Sequence, residues 1–241
     1  MRPNSAGILK DLAPTGRLRV AIDLGNPVLA QSGEDGAPKG LSVDFARELV
    51  RRTGLPFEFV LYDAAGKVVE ALKSNAWDVA FMAIEPERAT ELEFTEPYVI
   101  VDGTYMVTLG SPLKAIADFE KPGIRIALAR GSVCHLYLRR TTKHANLLLA
   151  RTGGDAIAMF IVDNLDAVAN LRQPLVRYVA ENPGYRVVDG CFMDIRLAVA
   201  VPKGRVQAIY YLDTLIEELK ASGFVADALE ASGQQADVAP L

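Results

Sequence analysis

The chain has 241 residues, half of them hydrophobic and 23% charged, which excludes a disordered polypeptide and allows one large domain or two lobes of about 110 residues each. A net charge of −4 gives no basic footprint for nucleic acid, and two cysteines, Cys134 and Cys191, are too few for a disulfide framework. No apolar run approaches the roughly 18 residues of a membrane span, and the N-terminal stretch lacks the apolar core of a secretory signal.

In chain order, RLRVAID from Arg17 predicts a buried strand ending at Asp23, and the Gly, Pro and Asp density that follows predicts a loop or short hairpin. LSVDFARELVRRTG reads as a helix that Ser42 or Asp44 can cap and Gly54 ends. PFEFVLY is then a strand, AGKVVEALKSNA a helix, and WDVAFMAI a strand. That alternation predicts a parallel sheet with right-handed crossovers.

The rhythm restarts with GTYMVTLG and GIRIALA as strands, separated by the connection SPLKAIADFEKP. GSVCHLYLRRTTKH predicts a helix, ANLLLAR a strand, GGDAIAMFIVDN a helix and LDAVANL a strand. PLVRYVAEN is a helix, IRLAVAVPKG a strand stopped by Pro202 and Gly204, and the tail two amphipathic helices broken at Gly223. The last residues, GQQADVAPL, read as a frayed end. Trp77, Phe94, Tyr98 and Tyr105 are expected in the core. The two cysteines are expected as free buried thiols, with a single bridge as the alternative.

Taken together, GRLRVAID, GLSVDFARELVRRTG, WDVAFMAIEPERATELEFTEPY, GIRIALARGSVCHLYL, LDAVANL, LAVAVPKG and LKASGF resemble the bacterial periplasmic solute-binding proteins of family 3, the amino-acid-binding type. The resemblance covers nearly the whole chain. It implies an α/β, two-lobed periplasmic-binding-protein-like fold of type II, each lobe a mostly parallel sheet flanked by helices. Residues 1–107 and 200–241 would form lobe one and 108–199 lobe two. Hinge strands would lie near Tyr105–Gly110 and Ala198–Pro202, with a ligand cleft between the lobes. The implied function is that of a substrate-binding protein of an ABC-type importer, taking up a small carboxylate by lobe closure. Its partner would be the membrane permease, with no nucleic acid, no membrane insertion and a monomeric state. The family is periplasmic. Here either an export signal was removed, or the protein stays in the cytoplasm.

Arg88 offers paired donors in a rigid fork that matches a carboxylate. In the family the arginine of this turn holds the ligand's α-carboxylate; by spacing alone, a surface ion pair with Glu85, Glu91 or Glu93 is the plainer reading. Gly131 and Ser132 open a helix, whose amides and dipole suit an anion. The resemblance places Gly131, Ser132 and Val133 over the same carboxylate, while plain N-capping by Ser132 is the bland alternative. Asp23 ends a strand where parallel sheets place ligand contacts, or it caps its own turn.

Departures from the family pattern concern the ligand. Phe81 and Ala83 stand where relatives carry Gly and Thr, and Asn26 and Ala65 replace aromatic residues that sandwich the ligand. Leu171 stands where an acidic residue receives the ligand's ammonium, and its neighbours are Asn170 and Arg172. A buried ammonium without a carboxylate is costly, so the expected ligand lacks an α-ammonium or holds it elsewhere. A shift of the alignment would instead let Asp163, Asp166 or Asp194 supply the anion.

No metal or cofactor is expected: Cys134, His135 and His144 lack metal-ligand spacing, and no phosphate-binding glycine motif occurs. Two other classes stay open. A dehydratase of cyclic carboxylates on the same fold would need a general acid, nominally Glu85, Asp23 or Asp194. A ligand-sensing module would need a signalling partner.

Overall fold

The computed structural model describes residues 5–241, which fold as two compact units. The first comprises residues up to Ile100 together with Arg196–Leu241, and the second Val101–Ile195. Among the described residues, no helix is long and apolar enough to cross a membrane.

The first unit runs α1 (Ser5–Leu12), β1 (Leu18–Asp23), a small hairpin of β2 (Gln31–Ser32) and β3 (Pro38–Lys39), α2 (Leu41–Thr53), β4 (Phe57–Tyr62), α3 (Ala65–Ala71), β5 (Val79–Ala83), β6 (Leu92–Phe94) and the start of β7 (Val99–Thr108). The second holds the rest of β7, then β8 (Arg125–Ala129), α4 (Val133–Thr141), β9 (Asn146–Ala150), α5 (Gly153–Val162), β10 (Ala167–Leu171), α6 (Arg172–Glu181), β11 (Tyr185–Val187) and the start of β12 (Met193–Pro202). The chain returns to the first unit through β12 and closes with α7 (Val206–Ala221), α8 (Phe224–Ala231) and β13 (Asp237–Val238).

Each unit is built on three parallel strands. In the first, β4 and β5 flank β1, and β12 adds antiparallel to β5. In the second, β9 and β10 flank β8, and β7 adds antiparallel to β10. Parallel strands lie deep between helices, which is why β5 is buried at all five positions. Its two faces divide the core. Ala80 and Met82 join Trp77, whose indole N–H donates to the Val68 carbonyl at 2.8 Å. Phe81, on the other face, meets Phe45 of α2 edge-on at 5.4 Å, and Phe45 stacks on Tyr98. Tyr105 stacks on Phe119 in the core of the second unit.

The same clasp ties the starts of the parallel strands in both units. Asp78, just before β5, receives the Arg19 amide, Nε and Nη2 of β1 at 3.1, 2.9 and 2.8 Å, and its own amide donates to the Arg19 carbonyl. Asp166, just before β10, receives the Arg125 amide and Nε of β8 at 2.8 and 3.2 Å, and its amide donates to the Arg125 carbonyl. The environments differ: the Asp78 side chain is fully buried, with Arg205 at 3.6 Å as a second cation, whereas the Asp166 side chain is 34% exposed.

Four expectations are corrected. Gly40, not Ser42 or Asp44, stands at the N-cap of α2, because its φ of 109° makes the turn into the helix and leaves both polar residues inside the first turn. The C-terminal residues are not frayed. β13 pairs with Val99 and Ile100, the Ala239 amide donates to the Tyr98 carbonyl at 3.0 Å, and the buried Lys220 ammonium donates to the Pro240 carbonyl at 2.7 Å. Of the two free cysteines, only Cys134 is buried; Cys191 lies half-exposed beside Asp194. Phe94 is likewise only partly buried, at the margin of the Trp77 cluster.

The contrast between the clasps gives a prediction. Asp78→Ala removes the buried acceptor of the partly exposed Arg19 side chain and of its amide, and is expected to cost about 1–3 kcal/mol of stability, against about 1 kcal/mol or less for Asp166→Ala. Urea titration of the two variants measures the difference.

Candidate functional site

The residues singled out in the sequence fall on both units. Asp23, Asn26, Ala65, Phe81, Ala83 and Arg88 belong to the first; Gly131, Ser132, Val133, Asn170, Leu171 and Arg172 belong to the second.

In the first unit, the β1–β5 register pairs Val20 with Val79 and Ala21 with Ala80, so both strands end at one edge of the sheet. Asp23 is the last residue of β1 and Ala83 the last of β5. After Ala83 the chain turns tightly. Glu85 is buried, its Oε2 accepts the Glu87 amide at 2.7 Å, and its carbonyl accepts the Ala89 amide at 2.9 Å. This turn folds Arg88 back onto its own strand, where Nη1 donates to the Ala83 carbonyl at 3.1 Å. Arg88 is only 3% exposed, and Glu85, one of the ion-pair partners the sequence offers it, is buried as well.

Asp23 is buried beside it, and its Oδ1 accepts the Gly25 amide at 2.9 Å. Burial pushes its carboxyl up to about 6, with a smaller rise from Asp63; the Gly25 amide and the Arg88 charge pull the other way. Gly25 is required here, since a Cβ would lie 2.5 Å from the Asp63 carbonyl and 3.0 Å from Asp23 Oδ1. Asn26 is half-buried and turns inward on its loop, with Oδ1 accepting the Val28 amide at 3.1 Å. Ala65 is the first residue of α3. Phe81 belongs to the core: mid-strand, its ring is committed to Phe45.

In the second unit, Ser132 caps α4, with Oγ accepting the His135 amide at 3.1 Å. The amides of the turn before it are engaged within the unit. Ser132 N–H donates to the Ala129 carbonyl at 3.2 Å, and Gly131 N–H donates to His135 Nδ1 at 3.0 Å. Val133 is buried. At the end of β10, Asn170 Oδ1 accepts the Leu171 amide at 2.8 Å, and its Nδ2 lies against Gly153 at the start of α5. Leu171 is buried and apolar. Arg172 is drawn to its own unit: Nε donates to Asp102 at 2.9 Å and Nη2 to the Gly190 carbonyl at 2.7 Å. Asp166, one of the alternative anions, sits at the opposite end of β10 and is held by Arg125. Asp163 is the C-cap residue of α5. Asp194 lies beside Asp102 and Cys191, the one grouping with metal-ligand proximity among the described residues, and Arg172 already binds its Asp102.

The sequence gives His135 no role, since with Cys134 and His144 it lacks metal-ligand spacing. The available signal was its spacing, four residues after Gly131 and three after the capping serine.

Comparison with known proteins agrees with this layout. The model of the bacterial extracellular solute-binding proteins, family 3, matches residues 18–232. The glutamine-binding protein of Geobacillus stearothermophilus is 24% identical over 76% of this chain and 72% of its own. The L-cystine-binding protein of Escherichia coli (strain K12) is 23% identical over 90% and 82%. Among solved structures, a mutant of ArgBP from T. maritima superposes with a TM-score of 0.80 at 22% identity, over 94% of this chain and 99% of that one.

Asp23 yields a pH prediction. Its carboxyl titrates near 3.8 when unfolded and at about 6 when folded, so stability falls as pH rises through that interval. Asp23→Asn keeps an acceptor for Gly25 and carries no charge. Its stability relative to the parent is expected to increase from about pH 4 to about pH 7, by at most about 3 kcal/mol. Thermal melts across that range check the sign.

Proposed function

Because the chain belongs to the family 3 bacterial extracellular solute-binding proteins, we propose that it captures a small carboxylate-bearing solute, an amino acid or a related organic acid, for an ABC-type importer. Binding of amino acids is what its curated relatives are named for, and those relatives are solute-binding proteins, not enzymes. On this reading the protein works outside the cytoplasmic membrane as a monomer, and a membrane permease reads its liganded form.

The observation that supports the reading is the buried guanidinium of Arg88 at the strand edge that also carries Asp23. An arginine withdrawn from water meets an anion with less competition than a surface one, and its planar fork matches a carboxylate. In the proposed cycle, ligand docks first on the Arg88 unit. The Gly131–Ser132 turn of the other unit then closes over the same carboxylate, with β7 and β12 as the hinge strands. Closure is driven only by the ligand's higher affinity for the closed form. A micromolar ligand supplies about 8 kcal/mol in total, enough to shift two states that differ by a few.

The electrostatics bear on the ligand's class. At the end of β10 neither Leu171 nor Arg172 supplies an acidic side chain for an ammonium, and the nearby Asp102 already accepts from Arg172. A ligand without an α-ammonium suits that end. A ligand that carries one would present it to the first unit, where Asp23 is the acidic group at the strand edge. The proton held by Asp23 up to about pH 6 would weaken that second mode in mild acid.

Arg88→Ala is expected to cost about 3 kcal/mol of binding, roughly 100-fold in affinity, and to abolish ligand-induced compaction in solution scattering. The ligand for this measurement comes from a thermal-shift screen of organic acids and L-amino acids on the parent protein. Affinity nearly unchanged in Arg88→Ala rejects the clamp. Standard L-amino acids as the tightest binders would reject a ligand lacking the α-ammonium.

A further inference from the structure

His135 is more than nine-tenths buried in the first turn of α4, yet the reading of the Gly131–Ser132 turn gives it no task. Two hydrogen bonds define what it does. Its backbone amide donates to Ser132 Oγ at 3.1 Å, and its ring Nδ1 accepts the Gly131 amide at 3.0 Å. A ring nitrogen that accepts carries no proton, so this geometry requires the neutral imidazole with its proton on Nε2. The imidazolium, a donor at both nitrogens, would face the Gly131 N–H with an N–H of its own.

The bond restrains a turn that passes through a glycine. Ser132 N–H donates back to Ala129, and Gly131 occupies the third position of that turn at φ +70°, a conformation glycine adopts without the penalty a side chain would meet. Glycine is also the residue with most freedom to leave that conformation. The imidazole supplies the restraint: it anchors the glycine amide to the same helix whose first turn Ser132 caps.

We propose that His135 is a positioning residue of the carboxylate seat, holding the Gly131 amide so that the ligand's carboxylate is met by the Ser132 hydroxyl and not by the glycine N–H. The proposal rests on the reading of Gly131–Ser132 as that seat. Ser132 suits the role because its oxygen accepts from the His135 amide through a lone pair, which leaves its own proton to donate. Two donors of one turn are thereby sorted, one kept for the fold and one turned to the ligand.

The test uses the full chain labelled with 15N, near neutral pH, as parent, His135→Asn and His135→Leu. Asn places Oδ1 about where the ring Nδ1 lies and can restore the acceptor; Leu fills similar space without one. In the parent, the ring spectrum should show Nδ1 unprotonated and Nε2 protonated. Protection of the Gly131 amide from exchange should drop at least about tenfold in the Leu variant and stay within about threefold in the Asn variant. Sodium acetate, as the carboxylate probe, should shift the Ser132 and Val133 amides in the parent and the Asn variant. In the Leu variant those shifts should need at least about tenfold more acetate. A ring protonated at Nδ1, or Gly131 protection indifferent to the Leu substitution, overturns the role of His135 and leaves the seat standing. Acetate that leaves both amides unmoved in the parent overturns the seat itself, and with it any part of His135 in binding.

Discussion

The clasp between Asp78 and Arg19 is the constraint on which the functional end of the first unit depends. A fully buried carboxylate is tolerable only when donors surround it, and Arg19 supplies three. Holding both strand starts at one level sets the parallel register of β1 and β5. Register then decides what happens at the far end. Asp23 and Ala83 leave the sheet at the same edge, and the turn after Ala83 brings Arg88 back to it. A slip of one residue would turn Phe81 away from Phe45 to the Trp77 face of the core and carry the guanidinium off that edge.

The second unit repeats the device with Arg125 and Asp166, in a setting more open to water. The far ends of its strands carry different chemistry. β8 leads into the Gly131–Ser132 turn and α4, and β10 leads into Leu171 and α6. One scaffold thus carries a guanidinium and a carboxyl in one unit and a hydroxyl-capped helix start in the other. Strand ends are where a common fold can carry different functions. In this chain Phe81, Ala83 and Leu171 are all apolar, and two of them serve packing directly: Phe81 against Phe45, and Leu171 as a buried residue.

The crossing strands explain the shape of the chain's end. β7 and β12 each begin in one unit and finish in the other. Within the first unit, the start of β7 would expose its backbone on one side. β13 covers that edge, and Lys220 fastens the segment through the Pro240 carbonyl. An uncovered edge strand is a liability, which gives a physical reason for ordering a terminal stretch rich in small and polar residues.

The sequence by itself determined the alternation of strands and helices, because hydrophobic period and turn residues are local properties, and it determined the residue types at the strand ends. Arg88, Asp23 and Ser132 each had an ordinary structural use open on spacing alone, an ion pair, a turn cap and an N-cap. The family motif from Trp77 to Tyr98 narrowed those uses. Tertiary structure decided the rest. That Phe81 faces α2, that Arg172 is spent on Asp102 and Gly190, that the Gly131 amide belongs to His135, and that the last residues form a strand all depend on partners chosen in space. A hydrogen-bonding group's availability is set by whichever neighbour reaches it first, and that neighbour is fixed only when the chain has packed.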